Sequence, residues 1–534
     1  MPTLTIDNRE IEVPPGATIL DAARKLGIQI PTLCYLEGST PSTSCMVCLV
    51  KHRASGRFVP SCASLAEDGM EIESETDEVR ETRREALELL LSDHLGDCVG
   101  PCHATCPAHM NIPLMIRQIA AGAFRDALVT VKEQIALPAV LGRICPAPCE
   151  KACRRGVQDA SLSICLLKRF PADVDLASAD PYLPPCQPAS GKRVGIIGAG
   201  PAGLAAAYYL LQDGHACTLF DDHEKPGGML QYAVPVNRLP RDVLDAEIAI
   251  IQRLGAEFRP GVHVGDKPSL ADIRKEFDAV LVATGELKED EAARLGLPTT
   301  GQGIEVDRRT LQTSAIGVFA AGSAVRKQKM AVRAVADGKA AATSIDQFLR
   351  GVPVTGPLGL FSTHIGRLKD GEIEKFMTEA GDGATAGLSS RVLPGDGTVG
   401  QADRGTEAPG FTQAEARQES SRCLHCDCRK FAACKLRQYA DRYEASPTRY
   451  DGERRVFEQQ VHPEGVVYES GKCIACGICI QIAASHREAL GLTFVGRGFA
   501  VRVGVPFNQS LAAGLAETAA ECAAACPTGA LALR

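Results

Sequence analysis

The sequence predicts a multidomain protein, α+β at its two ends and α/β in its middle, and three observations carry that expectation. At 534 residues the chain is several times the usual domain length. Its 22 cysteines fall mostly into short-spaced groups toward the ends and in one segment ahead of the middle. A glycine-rich turn, Gly198-Ala199-Gly200-Pro201-Ala202-Gly203, follows the apolar run Val194 to Ile197. Hydrophobic residues at 45% and charged residues at 23% are those of ordinary globular protein. A net charge of −7 gives no basic footprint and argues against nucleic acid as a partner.

The longest apolar stretch, Val194 to Leu211, contains Gly195, Gly198, Gly200 and Gly203, which suit a phosphate turn rather than a bilayer span. No charged N-terminal segment precedes an apolar one, so the expectation is a cytoplasmic chain that does not span a membrane. In a reducing compartment the cysteines stay unpaired, and their clustering points to metal ligation, with spacing left to decide between iron and zinc.

Residues 1–76 read as alternating strands (Leu4, Ile6; Ile11, Val13), a helix starting near Thr18 and then a cysteine loop, the order of a β-grasp domain. Cys34, Cys45, Cys48 and Cys62 lie as C-x10-C-x2-C-x13-C, four soft thiolates able to wrap two irons on a folded loop. This spacing resembles the [2Fe-2S] ferredoxin domain opening the large iron–sulfur subunit of complex-I-type NADH dehydrogenases and of related hydrogenase and formate dehydrogenase subunits. The resemblance implies a [2Fe-2S] cluster on these four residues.

Residues 77–190 read as helical, beginning with a charged helix from Glu78 to His94 that carries Leu87, Leu90 and Leu91 on one face. His94, Cys98, Cys102 and Cys106 precede Cys145, Cys149 and Cys153 in the phrase LGRICPAPCEKACRRG. That phrase resembles the two-cluster N-terminal domain shared by the glutamate synthase small subunit and dihydropyrimidine dehydrogenase. The resemblance groups Cys98, Cys102 and Cys153 around one [4Fe-4S] cluster, with His94 the nearest residue to complete it. It groups Cys106, Cys145 and Cys149 around another. The fourth ligand there would come from the helix Ser163 to Phe170, where Cys165 is the candidate although Lys168 aligns closer to the family's position.

After a Pro-rich linker, Asp180 to Gly191, residues 191–350 read as a Rossmann-like domain. The strand, the turn at Gly198, Gly200 and Gly203, the following helix and Asp221 at the end of the next strand stand at the separations a dinucleotide requires. PGGML (226–230), YAVPVNRLP (232–240), DAVLVATG (278–285) and GVFAAGSAV (317–325) resemble the FAD-contacting phrases of the glutamate synthase small-subunit family. The resemblance implies FAD contacts from Gly227, Gly228, Met229, Leu230, Arg238, Thr284, Gly285, Gly322 and Ser323. Ser323 stands where the family has an acid. In that family an NADPH domain lies between the last two phrases, whereas here 31 residues separate Gly285 from Gly317. The expectation is a flavin that takes no hydride from a nucleotide bound to its own chain.

Residues 351–415 read as a connector and 416–450 as a four-cysteine segment, with Cys423, Cys426, Cys428 and Cys434 as C-x2-C-x-C-x5-C, fit for a [4Fe-4S] cluster or zinc. Residues 451–534 carry Cys473, Cys476, Cys479, Cys522 and Cys526 and resemble the ferredoxin-like two-cluster domain of the complex-I large subunit. The resemblance assigns Cys473, Cys476, Cys479 and Cys526 to one cluster. The second would use positions 483, 516, 519 and 522, which hold Ala483, Ala516, Ala519 and Cys522, so one [4Fe-4S] cluster is expected here. Cys186, Cys217 and Cys522 are left as structural residues.

The reading is an electron-transfer subunit of a larger oxidoreductase, with FAD, one [2Fe-2S] cluster and up to four [4Fe-4S] clusters, bifurcation being one mode open to it. Its expected partners are other redox subunits, by analogy an NADH-oxidising flavoprotein of the complex-I type and a terminal oxidoreductase. Two alternatives stand beside it: a self-sufficient NAD(P)H-dependent reductase, and a scaffold whose flavin site has decayed. No acid–base pair or nucleophile is placed for substrate chemistry, so no catalytic residue is assigned.

Overall fold

The computed structural model describes residues 1–265, 267–380, 391–392, 409–450 and 452–533. The chain forms two compact units: Met1–Gly100 with Leu360–Glu379 and Cys426–Arg534, and Pro101–Gly359 with Ala380–His425.

The first unit opens on β1 (Thr3–Ile6), β2 (Arg9–Glu12), α1 (Ile19–Lys25), β3 (Leu49–His52), β4 (Phe58–Pro60) and β5 (Glu71–Glu73). The sheet order is β2-β1-β5-β3-β4, with β1 and β5 parallel and the other pairs antiparallel. Thr18 starts α1 with a capping box, accepting from Asp21 N while the Asp21 carboxylate accepts from Thr18 N. Leu4 and Ile6 alternate inward with Ile19 and Leu20 beneath the sheet, the β-grasp arrangement. α2 (Asp77–Ser92) follows, held against β3 by the buried Arg83, whose guanidinium donates twice to Leu49 O and also meets Glu75 and Tyr443. His94 therefore lies past the helix end rather than on it.

The second unit holds α3 (Pro101–Thr105), α4 (Ile112–Ala120), α5 (Phe124–Lys132), α6 (Pro138–Ile144), α7 (Pro148–Lys151), α8 (Arg155–Gln158) and α9 (Ile164–Leu176). A five-stranded parallel sheet comes next: β6 (Arg193–Ile197), β7 (Ala216–Phe220), β8 (Glu257–Arg259), β9 (Ala279–Val282) and β10 (Val318–Ala320), in the order β10-β9-β6-β7-β8. Its helices include α10 (Pro201–Gln212), α11 (Met229–Tyr232), α12 (Arg241–Arg253) and α13 (Ala331–Leu349). Buried Glu247 on α12 accepts from Ala139 N (3.0 Å) and Val140 N (2.9 Å), two amides exposed at the start of α6, and so ties the helices to the sheet domain. α14 (Gln413–Ser421) belongs to this unit and packs on α4 and α9.

The first unit closes with β11 (Gln459–Val461), β12 (Val466–Glu469), α15 (Ile478–Ser485), β13 (Thr493–Val495), β14 (Arg502–Gly504), α16 (Ala519–Ala525) and β15 (Leu531–Leu533). β11, β12 and β15 form an antiparallel sheet. Three boundaries differ from the sequence reading. Residues 77–100 join the first unit rather than opening the helical domain, Leu360–Glu379 of the expected connector join it too, and the four-cysteine segment is divided between the units. The connector stretches 381–390 and 393–408 lie outside the described residues.

Candidate functional site

In the β-grasp domain Thr43 and Met46 take left-handed φ of 51° and 55°, folding the 34–48 loop so that its thiols converge. Cys48 Sγ lies 3.4 Å from Cys62 Sγ, and all four cysteines are nearly inaccessible. Hydrogen bonding from Cys45 and Cys62 holds the Cys34 and Cys48 thiols below the usual thiol range. Four converging sulfurs of which two ionise readily make a fitting donor set for iron.

Cys473, Cys476, Cys479 and Cys526 line one cavity of about 20 Å³. Left-handed Ala475 (φ 52°) and Gly477 (φ 76°) turn the loop, and Ala475 N donates to Cys473 Sγ at 3.4 Å. The positions of a second cluster are otherwise occupied. Ala483, Ala519 and Cys522 pack in a hydrophobic core, Ala516 is exposed, and Cys522 Sγ donates to Cys479 O at 3.7 Å.

The four-cysteine segment is divided between the units, with Cys423 in the second and Cys426, Cys428 and Cys434 in the first. Cys428 N donates to Cys98 O (3.2 Å), and Cys98 Sγ meets Thr363 Oγ1 at 3.4 Å. Burial pushes the Cys434 thiol up to about 12, with Cys428 and Cys98 close enough to add to it. His94 belongs to the same unit. The residue is half-buried, its Nδ1 is sealed from solvent without a hydrogen-bond partner, and desolvation together with the Lys472 ammonium lowers its pKa to about 3. A neutral imidazole with an orphaned buried nitrogen fits a metal ligand. Cys98 lies beside Cys428 and Cys434 in the first unit, whereas Cys102 and Cys153, with which it was expected to group, lie in the second. Most of the chain between Cys98 and Cys428, with Cys102, Cys106, Cys145, Cys149, Cys153, Cys165 and Cys423, folds into the other unit.

In the second unit Cys106, Cys145, Cys149 and Cys165 line a cavity of about 10 Å³ together with Lys168. Burial lowers the Lys168 pKa and the surrounding thiols, Cys165 first, raise it by more. Cys102 on α3 packs near α7, and Cys153 lies two residues before Arg155, whose Nη1 donates to Arg422 O at 2.6 Å, next to Cys423. Cys102, Cys153 and Cys423 thus share one core. Cys426, the next cysteine of the C-x2-C step, opens the returning segment of the first unit. Lys472 and Thr363 went unmarked in the sequence, where only the position of Lys472 immediately before Cys473 could have drawn attention to it; Lys168 had been marked as aligned with the family's fourth-ligand position.

The sheet's strand ends make the nucleotide cradle. Gly198, Asp221, Thr284, Gly285, Gly322 and Ser323 stand at the C-terminal ends of β6, β7, β9 and β10. A Cβ on Gly203 would collide with Gly198 O, and one on Gly198 with Ala283 O, whereas at Gly200 the nearest atom would be Gly228 Cα at 4.0 Å. Gly200 thus fronts an opening that a Cβ would enter, the close approach a pyrophosphate needs. Asp221 Oδ2 accepts from Ala199 N (2.7 Å) and Oδ1 from His223 N (3.0 Å), so this carboxylate braces the turn as well as facing a cavity of about 100 Å³. Gly227, Gly228, Met229 and Leu230 carry the chain into α11 beside Gly200, while Arg238 is exposed. Between Gly285 and Gly317 the chain forms a six-residue helix, Glu289–Arg294, and a hairpin of two-residue strands.

Residues 1–77 match the family described as a 2Fe-2S iron-sulfur cluster binding domain. Residues 77–179 match the 4Fe-4S domain II of dihydropyrimidine dehydrogenase, and 196–255 an NAD(P)-binding Rossmann-like domain. The beta subunit of an NADP(+)-dependent formate dehydrogenase from Moorella thermoacetica is 40% identical over 207 residues, 35% of this chain and 29% of that one. The chain is homologous to subunits of iron–sulfur oxidoreductases. The PreT subunit of NAD-dependent dihydropyrimidine dehydrogenase from Salmonella typhimurium is 38% identical over 188 residues, 35% of this chain and 45% of that one. The glutamate synthase [NADPH] small chain of Mycobacterium tuberculosis is 36% identical over 213 residues, 39% of this chain and 42% of that one. The chain spans less than half the length of each of these relatives. It carries [2Fe-2S] and [4Fe-4S] binding domains and a Rossmann-like domain, and among the described residues no helix is long and apolar enough to cross a membrane.

Proposed function

We propose that this chain is an electron-transfer subunit of a larger oxidoreductase, holding FAD at the glycine cradle, a [2Fe-2S] cluster at Cys34, Cys45, Cys48 and Cys62, and [4Fe-4S] clusters at the remaining sets. Those sets are His94, Cys98, Cys428 and Cys434; Cys106, Cys145, Cys149 and Cys165; Cys473, Cys476, Cys479 and Cys526; and Cys102, Cys153 and Cys423. Bound flavin exchanges electrons singly or in pairs and iron–sulfur clusters singly, so the protein's task is spacing and tuning.

The observation that carries the reading is the serial packing of three sets within the first unit. Gln481 Nε2, just past Cys479, donates to Thr40 O and Ser42 Oγ, both at 3.2 Å, while Cys34 and Cys45 share a core with Cys476. At the other side Lys430, between Cys428 and Cys434, donates to the carbonyls of Ala523, Ala524 and Cys526. The order is β-grasp set, Cys473 set, His94 set. The short helix and hairpin between Gly285 and Gly317 support a flavin without its own nicotinamide domain, and so a donor on another subunit.

The test is titration of the anaerobically purified chain with NADH and then NADPH, following flavin and cluster absorbance, with dithionite as the reducibility control. A relay is bleached by dithionite and by neither nucleotide. Rapid bleaching by either nucleotide would instead favour the self-sufficient reductase.

A further inference from the structure

Lys168 is 4% exposed, and among the described residues it forms no ion pair with a carboxylate. Its ammonium donates to Leu141 O at 3.2 Å and lies 4.0 Å from Cys165 Sγ, inside the cavity that Cys106, Cys145, Cys149 and Cys165 line. The ionised groups nearby are engaged elsewhere. Glu150, whose Oε1 accepts from Cys165 N, pairs with Arg391 at 2.7 Å, and Arg143 and Arg169 both pair with Asp173. A buried ammonium without a counter-ion is costly, and removing charge from such a site is often favourable unless an anion belongs beside it. Four thiolates around a [4Fe-4S] core leave a net negative charge, the anion this cavity is built to receive.

We propose that Lys168 is a positioning residue for this centre: its fixed positive charge, 4.0 Å from the Cys165 thiolate, raises the reduction potential of the cluster held by Cys106, Cys145, Cys149 and Cys165. The proposal rests on the four-thiolate assignment made above. One electron added to the oxidised cluster increases its negative charge by one, and the ammonium stabilises that product more than the starting form. No bond is made or broken, and the electron comes from the external reductant. Charge near a cluster and hydrogen bonds to its sulfurs are the levers by which proteins set its potential. Lys168 lies on α9 one turn from Cys165, so its ammonium is held at the thiol end of the helix.

The experiment uses the full chain, anaerobically purified, as wild type and as the Lys168→Met, Lys168→Arg and Cys165→Ala variants. Iron per chain is measured, and electron paramagnetic resonance follows a dithionite titration with redox mediators. Cys165→Ala identifies the signal of this centre by removing or altering it; if all signals and the iron content stay unchanged, the four-thiolate assignment itself fails. Lys168→Met is expected to keep its iron and lower the midpoint so that the reduced-to-oxidised ratio at the wild-type midpoint falls about tenfold, about 59 mV for a one-electron couple. Lys168→Arg is expected to keep the midpoint near wild type. An unchanged midpoint in Lys168→Met, or loss of the cluster from both lysine variants alike, overturns the proposal while leaving the ligand assignment standing.

Discussion

Cys522 and Cys526 stand four residues apart at the end of the chain, and the structure gives them opposite surroundings. Cys526 lines the cavity of the Cys473 set, whereas Cys522 is sealed in a core of Ala483 and Ala519. Cys526→Ser is expected to remove one [4Fe-4S] signal. Cys522→Ala should keep the iron content and lose about 1 kcal/mol of stability, the cost of a small cavity; chemical analysis and a denaturation curve separate the two. His94 gives a second expectation. His94→Ala should abolish the signal of the Cys98, Cys428 and Cys434 centre, and Cys423→Ala should leave that signal intact, because Cys423 belongs to the other unit's core. Loss of that signal in Cys423→Ala with His94→Ala unaffected would restore the contiguous four-cysteine centre that spacing alone suggests.

Among the elements, the β6–α10 turn separates folding from binding. A methyl group at Gly203 has nowhere to go against Gly198 O, and one at Gly200 has room but enters the cradle. Gly203→Ala should therefore lower thermal stability and flavin content together, and Gly200→Ala should lower flavin content with little change in melting temperature. The α6–α12 contact predicts a pH dependence. Burial raises Glu247 from 4.5 to about 7, so within that window the folded chain keeps a proton that the unfolded chain has released. The stability this group contributes is full below its unfolded value and is lost as pH rises through 7, at most about 3 kcal/mol. Glu247→Gln should flatten the fall of the urea midpoint between pH 5 and 8; an unchanged slope would show that the carboxyl is already ionised there.

Across the whole molecule the chain leaves its first unit after Gly100 and returns to it twice, at Leu360 and at Cys426. Cysteine sets that look local are therefore completed by residues hundreds of positions away: Cys98 meets Cys428, while Arg155 reaches Arg422 beside Cys423. Loosening of the Glu247 tie should thus be read out in flavin and helical-domain clusters before it is seen in the β-grasp centre, whose four ligands are held within residues 34–62. Raising the pH through 7, or adding mild denaturant, followed by visible spectroscopy would report the order of loss.

By itself the sequence determined everything set by short-range geometry. The β-grasp loop, the GxGxxG turn with Asp221, the C-x2-C-x2-C run of Cys473, Cys476 and Cys479 and the emptied second ligand set were legible because bond lengths and allowed dihedrals bring such neighbours together in almost any fold. The tertiary structure alone decided which distant thiols share a site. It put Cys423 and Cys428 in different units, set Cys98 beside the latter, and put the charges of Lys168 and Lys472 beside sulfur. Those choices are made by burial of apolar faces and by pairing of buried charge, energies that depend on the entire packed core and leave no periodic trace in the chain.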